Sequence, residues 1–172
     1  MSFLKAAIRS LAAQVLVLHS LAAQAGPDES WQIFDVTEAG FSILLPKNAV
    51  IERTETTVVI SGSEDGRMFS VAALNVSTEE LAKLTPKGVL DGAVEGKRTR
   101  AIGQVESRAI FVRGLEGREA SYVVKRKGVL LRMRSRMFVV GHHVYDVVMG
   151  CAESDPPSRV LGPFFDSFEP VR

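Results

Sequence analysis

The chain of 172 residues has one cysteine, Cys151, so no disulfide can form within it. The fold must therefore be stabilised by its apolar core. A dominant charge of either sign is also lacking, because 21 Lys and Arg residues stand against 20 Asp and Glu residues. The resulting formal net charge of +1 argues against dedicated nucleic-acid binding, which favours a strongly basic chain.

Sequence patterns of known catalytic sites are missing as well. The chain has no G-x-S-x-G nucleophile elbow and no phosphate loop of the G-x-G-x-x-G or P-loop type. The adjacent His142 and His143 have no matching Cys/His pair nearby, and neighbouring residues on a strand point to opposite faces. We interpret them as an exposed polar turn. The sequence therefore predicts a protein that is not an enzyme and needs no cofactor or metal, with an exported hydrolase as the least supported alternative.

The first residues have the pattern of a cleavable export signal. Lys5 and Arg9 give a positive segment, an apolar run follows over residues 11–21, and Ala-Gln-Ala at 23–25 supplies small residues for cleavage. The run is too short and too polar to span a bilayer, and a buried amphipathic helix is the alternative. We predict a signal peptide of residues 1–25 cleaved near Ala25. The mature chain, residues 26–172, is expected to be one periplasmic or secreted domain without a transmembrane span.

From Trp31 onward, short apolar runs alternate with turn sequences, a pattern typical of β-strands. Ser77 and Thr85 have the composition of N-caps, each followed by a helical pattern. Strands are expected over residues 31–36, 41–45, 56–61, 68–76, 102–112, 119–125, 129–140 and 144–151. Helices are expected over residues 78–84 and 86–97, and at the C-terminus over about 155–168. This order predicts an α+β fold built on antiparallel strands.

The alternation of apolar and polar residues sets the register of the last three strands, because a slip of one residue would expose every apolar side chain. It places Tyr122 opposite Met133 and Glu119 opposite Arg136. A three-residue connection, Gly141-His142-His143, is expected to lead into the last strand, whose inward-facing residues are Tyr145, Val147 and Met149. Cys151 has the same parity. We therefore expect its thiol to lie in the core, where cysteine acts as a small apolar side chain.

Charge is segregated along the chain. Residues 97–136 contain 12 Lys and Arg against three Glu, whereas residues 28–80 contain ten acids against three bases. Within the basic block, three alternate residues of one predicted strand are arginines, and three more bases lie at the neighbouring hairpin tip. These candidate partner-binding residues are Arg132, Arg134, Arg136, Lys125, Arg126 and Lys127.

Two interpretations of this basic surface are open. In the first it binds an anionic partner: an acidic patch of a protein, a phospholipid headgroup or an envelope polyanion. In the second it is a solvated sheet face whose arginines pair with Glu119, Asp146 and the acidic first half of the chain. The predicted register puts Glu119 opposite Arg136, and Asp146 diagonal to it. Arg132 and Arg134 are then expected to have no obvious partner on these strands.

Four segments carry a resemblance through their order and spacing. They are Gly40-Phe41-Ser42-Ile43-Leu44-Leu45-Pro46, Gly114-x-x-Gly117-Arg118-Glu119, Arg136-Met137-Phe138-Val139-Val140-Gly141 followed by Tyr145, and Phe164-Phe165-Asp166-Ser167-Phe168. Together they resemble the PsbP-like family, the extrinsic photosystem II subunit and its bacterial relatives. The resemblance implies an α/β/α sandwich with a central antiparallel sheet, and a binding or assembly role without catalytic residues. A photosynthetic role is not implied, because no residues match the ion-associated positions of the plant subunit.

The residues and the resemblance together predict an exported, non-enzymatic binding or assembly-support protein. The basic strand face is expected to engage an anionic partner, either a protein or an anionic envelope component, and not nucleic acid. The alternative is a periplasmic ligand-binding module for a small anion or a lipid. Its pocket would lie between the second helix and the sheet.

Overall fold

The computed structural model describes residues 30–155 and 161–171. The predicted signal peptide of residues 1–25, with its cleavage site, lies outside the described residues, as do Pro156 and Pro157 near the start of the last predicted helix. Export is therefore still a prediction from the sequence. Within the described ranges, no helix has the length and apolar character needed to cross a membrane.

The described fold contains ten strands, three α-helices and one turn of 3-10 helix at Thr37–Ala39. The strands are β1 (Trp31–Val36), β2 (Phe41–Pro46), β3 (Val50–Arg53), β4 (Thr57–Glu64), β5 (Arg67–Asn75), β6 (Glu106–Val112), β7 (Leu115–Arg126), β8 (Val129–Val140), β9 (His143–Ala152) and β10 (Glu169–Pro170). The helices are α1 (Thr78–Ala82), α2 (Pro86–Arg98) and α3 (Leu161–Asp166). Seven strands pair antiparallel in the order β3-β4-β5-β9-β8-β7-β6, and a separate sheet has the order β1-β2-β10.

Both α1 and α2 begin at the predicted capping residues. Ser77 Oγ accepts a hydrogen bond from the Glu80 N–H, and Thr85 Oγ1 accepts one from the Gly88 N–H. Pro86 occupies the first position of α2, where its missing N–H costs no intrahelical bond. The apolar stripe of α2 is buried against the larger sheet through Val89, Leu90, Ala93 and Val94.

The larger sheet lies between two other layers. On one face, α1 and α2 cover a buried cluster that includes Ala120, Met133 and Met137. On the other face, the three-stranded sheet and α3 contribute Ile43 and Phe164 to a second buried cluster. The predicted α+β class with a central antiparallel sheet is therefore confirmed. The layer opposite α2 consists of a small sheet with one short helix.

The predicted register of β7 against β8 is confirmed, but the predicted register of β8 against β9 is wrong by one residue, because their connection has two residues and Val140 pairs with His143. Tyr122 pairs with Met133, and Glu119 pairs with Arg136. The predicted burial of Cys151 is confirmed too, since the residue is 4% exposed.

The strand β9 is buried on both of its faces, which the sequence pattern did not indicate. Each of its residues from 144 to 151 is buried. Antiparallel partners share a face, and Cys151 pairs with Arg132. The arginines of β8 therefore lie on the same face as Cys151 and the second buried cluster, and the opposite face of β9 carries Asp146.

Several connections are tighter than their composition suggests. Residues 62–66 have the composition of a loop, but β4 and β5 continue to a two-residue turn at Asp65 and Gly66, with φ of 49° and 72°. Two successive positive φ angles match the twist of a hairpin, which explains the Asp-Gly sequence. Lys127-Gly128 and Gly141-His142 also form two-residue connections. The short strand β3 has no alternating pattern and was not predicted, and β6 begins only at Glu106.

The C-terminal aromatic residues dock on the larger sheet. The helix α3 includes Gly162 and Pro163 and continues through them to Asp166. Phe164, Phe165 and Phe168 are 0%, 3% and 5% exposed.

Candidate functional site

Three neighbouring strands carry a cluster of arginines around one carboxylate. The pairing of β6 with β7, and of β7 with β8, puts Arg108 and Arg136 on either side of Glu119 in one cross-strand row. Arg134 and Arg132 follow on the same face of β8, because alternate residues of a strand share a face. The arginine face consists of the side chains of Arg108, Lys125, Arg132, Arg134 and Arg136.

Glu119 is the buried centre of this cluster and is 5% exposed. Arg108 donates to Glu119 Oε1 from Nη2 at 2.6 Å and from Nε at 3.0 Å. Arg134 Nη2 donates to the same oxygen at 3.0 Å, and Arg136 Nε donates to Oε2 at 2.9 Å. Burial alone raises the pKa of Glu119, but the hydrogen bonds from the three arginines outweigh it and lower the pKa to about 2. One carboxylate therefore faces three guanidinium groups at neutral pH.

The helix α3 holds the cluster from one side. Arg136 Nη1 donates to Asp166 Oδ1 at 2.8 Å, and Arg136 Cζ lies 4.9 Å from the centroid of the Phe165 ring. Arg134 Cζ lies 5.8 Å from the same centroid, so both guanidinium groups make cation–π contacts. Arg134 Nε is shielded from solvent, and no acceptor for its N–H is found among residues 30–155 and 161–171. The two arginines are therefore held in fixed positions while one donor has no acceptor there.

The expectation that Arg132 and Arg134 have no partner on these strands is wrong for Arg134, whereas the partner of Arg132 lies just beyond β9. Arg134 donates to Glu119, as described above, and Arg132 Nη2 donates to the backbone carbonyl of Glu153 at 2.7 Å. Glu119 pairs directly with Arg136 across the two strands, and Arg134 is its diagonal neighbour on β8. The two carboxylate oxygens of Glu119 therefore bind one arginine each from β8.

The expectation that Asp146 pairs with the arginines is also wrong. Asp146 is 3% exposed and faces α2, where Lys97 Nζ lies 2.6 Å from its Oδ2. Ser135 Oγ donates to Asp146 Oδ1 at 2.5 Å. Because both faces of β9 are buried, the polar residue of this strand needed a buried partner, and α2 supplies it.

The bases at the hairpin tip divide between the two faces of the sheet. Lys125 has the parity of Glu119 and is exposed, so it belongs to the arginine face. Arg126 has the opposite parity and points to the other face. Lys127 lies in the turn itself, with φ of 46°. The six predicted residues are thus close in the chain, but they do not form one surface.

A groove of about 430 Å³ lies beside the arginine face. It separates the β6–β7 hairpin from the three-stranded sheet, so it is on the opposite side of the larger sheet from α2. Its lining consists of Asp35, Ser42, Val112, Arg113, Leu115, Phe138, Phe165, Phe168, Glu169, Pro170 and Val171. Phe165 belongs to both the groove and the cation–π contacts, so the two features are continuous.

Other candidate chemistry is not assembled into a site. His142 is exposed and His143 is partly exposed at the β8–β9 turn. Across the two described ranges, no three His, Cys, Asp or Glu residues come together as metal ligands would. Burial raises the pKa of the Cys151 thiol, which makes it a poorer nucleophile.

Three members of the cluster were missed in the sequence. Arg108 was detectable, because a two-residue turn at Arg113-Gly114 sets it opposite Glu119. Phe165 and Asp166 gave no signal of this role, since their proximity to β8 depends on how α3 docks on the larger sheet.

Comparison of the sequence with protein-family models finds no match, and comparison with curated protein sequences finds no significant one. Comparison with solved structures does. The solution structure of cyanobacterial PsbP (CyanoP) from Synechocystis aligns with a TM-score of 0.56 at 15% identity, over 88% of this chain and 99% of that one. The chain has a PsbP-like fold. A crystal structure from Bacteroides thetaiotaomicron matches this fold with a TM-score of 0.52 at 8% identity, over 77% of this chain and 46% of its own.

Proposed function

We propose that this protein is an exported, non-enzymatic binding or assembly-support protein that engages an acidic partner protein through the arginine face. The observation that carries the proposal is the arrangement around Glu119, where three guanidinium groups share one buried carboxylate. In the part of the chain that the structure describes, the three guanidinium groups outnumber the two carboxylates that contact them, those of Glu119 and Asp166. A partner carboxylate would complete the cluster.

The arrangement is suited to recognising carboxylates. A guanidinium group presents a rigid fork of donors that matches a carboxylate in a bidentate pair. Arg134 and Arg136 are already immobilised by Glu119 and Phe165, so little side-chain entropy is lost when a partner binds. Arg108, Lys125 and Arg132 are exposed around them and extend the positive surface.

Export and the lack of catalysis are supported by the sequence and the fold. The segment of residues 1–25 has the pattern of a signal peptide. The PsbP-like family that the sequence resembles consists of binding and assembly proteins, and the PsbP-like fold agrees with that resemblance. Intact mass of protein recovered from the envelope or medium should correspond to a chain that begins at Gly26, whereas full-length protein in the cytoplasm would contradict export.

The binding role is tested by reversing charges that lie outside the Glu119 network. Lys125→Glu with Arg132→Glu changes two exposed cations without removing a hydrogen bond to Glu119. The probe is a fluorescein-labelled hexaglutamate peptide, measured by fluorescence anisotropy. We expect binding to weaken about tenfold or more in the double variant, because two attractive charges become repulsive. Added salt should weaken binding to the wild type, because exposed charges are screened beyond about 8 Å at physiological ionic strength.

The matched control is Arg98→Glu, an exposed arginine on α2 and therefore on the far side of the larger sheet. It should bind the probe as the wild type does. Equal binding by the wild type and the Lys125→Glu/Arg132→Glu variant would overturn the proposed role of the arginine face.

A further inference from the structure

We propose that the groove beside the arginine face recognises an extended segment of the partner in which an acidic and an apolar residue lie two positions apart. This inference rests on the proposed function, because the acidic residue is the one that the arginine face binds. It goes further in assigning the groove to the same partner and in specifying the sequence chemistry of the bound segment.

Phe165 joins the two halves of this site. Its ring supports the guanidinium groups of Arg134 and Arg136 at 5.8 Å and 4.9 Å from the centroid, and it also lines the groove. A carboxylate bound to these arginines therefore lies next to the groove. In an extended chain, side chains two positions apart point the same way and are separated by about 6.6 Å. That spacing carries the second side chain past the Phe165 ring and into the groove.

The groove offers an apolar side chain suitable contacts. Val112 and Leu115 from the β6–β7 hairpin form one wall, and Val171 after β10 forms part of the other. Val171 is 68% exposed, so its side chain is available for contact with a bound segment. A partner side chain placed between these walls would remove apolar surface from water on both sides.

The far wall favours a peptide over a hydrocarbon chain. Asp35, Ser42 and Glu169 form one cross-strand row on β1, β2 and β10 and line the groove. A lipid acyl chain lying there would bury these polar groups without hydrogen-bond partners, which is costly. A peptide can meet them with its backbone and with a basic side chain. The bound segment of the partner is therefore expected to have an acidic, an apolar and a basic residue, in that order, at every second position.

The test uses the fluorescein-labelled peptide Thr-Glu-Thr-Leu-Thr-Lys-Thr and the full mature protein, with binding followed by fluorescence anisotropy. Replacing the peptide's Glu with Gln, or its Leu with Ser, should each weaken binding about tenfold, since both halves of the site contribute. A peptide of the same composition with Glu and Leu adjacent should bind as weakly as these, because adjacent side chains of an extended chain point to opposite faces.

The groove is tested in the protein by Val112→Ser with Val171→Ser. This double variant should bind the parent peptide about tenfold more weakly and should bind hexaglutamate normally, because only apolar contacts are lost. The matched control is Val129→Ser, an exposed valine at the β7–β8 turn that lies outside the groove. It should bind both probes as the wild type does.

The outcomes separate this inference from the proposed function. The inference would be overturned if the parent peptide and its Leu-to-Ser version bound equally well. The proposed function would still stand if hexaglutamate binding depended on Lys125 and Arg132. Tighter binding of dodecyl phosphate than of the peptide, lost in the Val112→Ser/Val171→Ser variant, would overturn the inference in favour of a lipid ligand. The inference is supported if the Val112→Ser/Val171→Ser variant loses binding of the parent peptide while the Val129→Ser control keeps it.

Discussion

Lys97 and Asp146 form an ion pair inside the protein, between α2 and the central strand β9. Lys97 Nζ lies 2.6 Å from Asp146 Oδ2, and the two residues are 2% and 3% exposed. Ser135 donates to the other carboxylate oxygen, and the Tyr122 ring centroid lies 5.4 Å from Nζ. Burial opposes the charge on Lys97, but the charge and hydrogen-bond interactions with Asp146 and Tyr122 together outweigh it and raise the pKa of the ammonium group.

Removing one partner of this pair should destabilise the protein strongly. Lys97→Met leaves the Asp146 carboxylate buried without its counter-charge, which costs about 3–5 kcal/mol of unfolding free energy in comparable cases. Lys97→Met with Asp146→Asn removes both charges and keeps an acceptor for Ser135, so we expect it to recover much of that loss. Urea unfolding followed by circular dichroism measures both variants.

The control for this pair is Lys87→Met, since Lys87 forms an exposed ion pair with Asp91 on the same helix. Exposed pairs contribute little to stability, so its urea midpoint should stay close to that of the wild type. A Lys97→Met protein as stable as this control would mean that the buried pair does not form.

Glu119 should make the protein sensitive to acid. Its folded-state pKa of about 2 lies below the ordinary value of 4.5, so the folded state favours the ionised carboxylate. The stability that this provides is present above the unfolded-state pKa and is lost as pH falls through the folded-state pKa. We expect thermal stability to fall between about pH 4.5 and pH 2, and Glu119→Gln to fall less steeply over that interval. Parallel pH profiles for the two proteins would show that the carboxylate is not held by the arginines.

Cys151 should react slowly in the native state. Its thiol is buried, and burial raises its pKa, so both access and the thiolate fraction are low. A thiol reagent such as DTNB should label the folded protein slowly and the urea-unfolded protein rapidly. Rapid native labelling, or a disulfide-linked dimer on a non-reducing gel, would contradict the burial of this side chain.

The sequence predicted the local features of the fold better than the layers. Helix capping by Ser77 and Thr85 depends only on neighbouring residues, and it is confirmed. The pairing of Glu119 with Arg136 depends on strand alternation, and it is confirmed too. Alternation also assumes that one face of each strand is solvated. This assumption fails for β9, so its connection to β8 was predicted one residue too long and Asp146 was assigned to the wrong face.

The candidate site was predicted only in part, because some of its contacts depend on how α3 docks. The positions of Arg132, Arg134 and Arg136 on one face follow from strand geometry alone. The contacts of Arg134 and Arg136 with Phe165 depend on the docking of α3, and no periodicity in the chain encodes that contact.

Two glycines should respond in opposite ways to alanine. Gly92 lies in α2, and a Cβ built there meets no atom within 4 Å, so the glycine is not needed for contact with the sheet. Gly92→Ala should therefore stabilise the protein by about 0.5–1 kcal/mol through helix propensity. Gly117 lies in β7, where a Cβ would be 2.6 Å from the Met137 carbonyl oxygen and 2.8 Å from the Phe138 ring.

Gly117→Ala should destabilise the protein, because the Met137 oxygen belongs to the paired backbone of β8 and cannot move aside without breaking the sheet. Overpacking of this kind typically costs about 1–3 kcal/mol. Gly117 precedes Glu119 by two residues on the same face of β7, so we also expect the strain to reach the arginine face and weaken hexaglutamate binding. Urea midpoints and anisotropy titrations of the two alanine variants measure both effects. A Gly117→Ala protein as stable as Gly92→Ala would mean that β7 and β8 are not packed as closely as described.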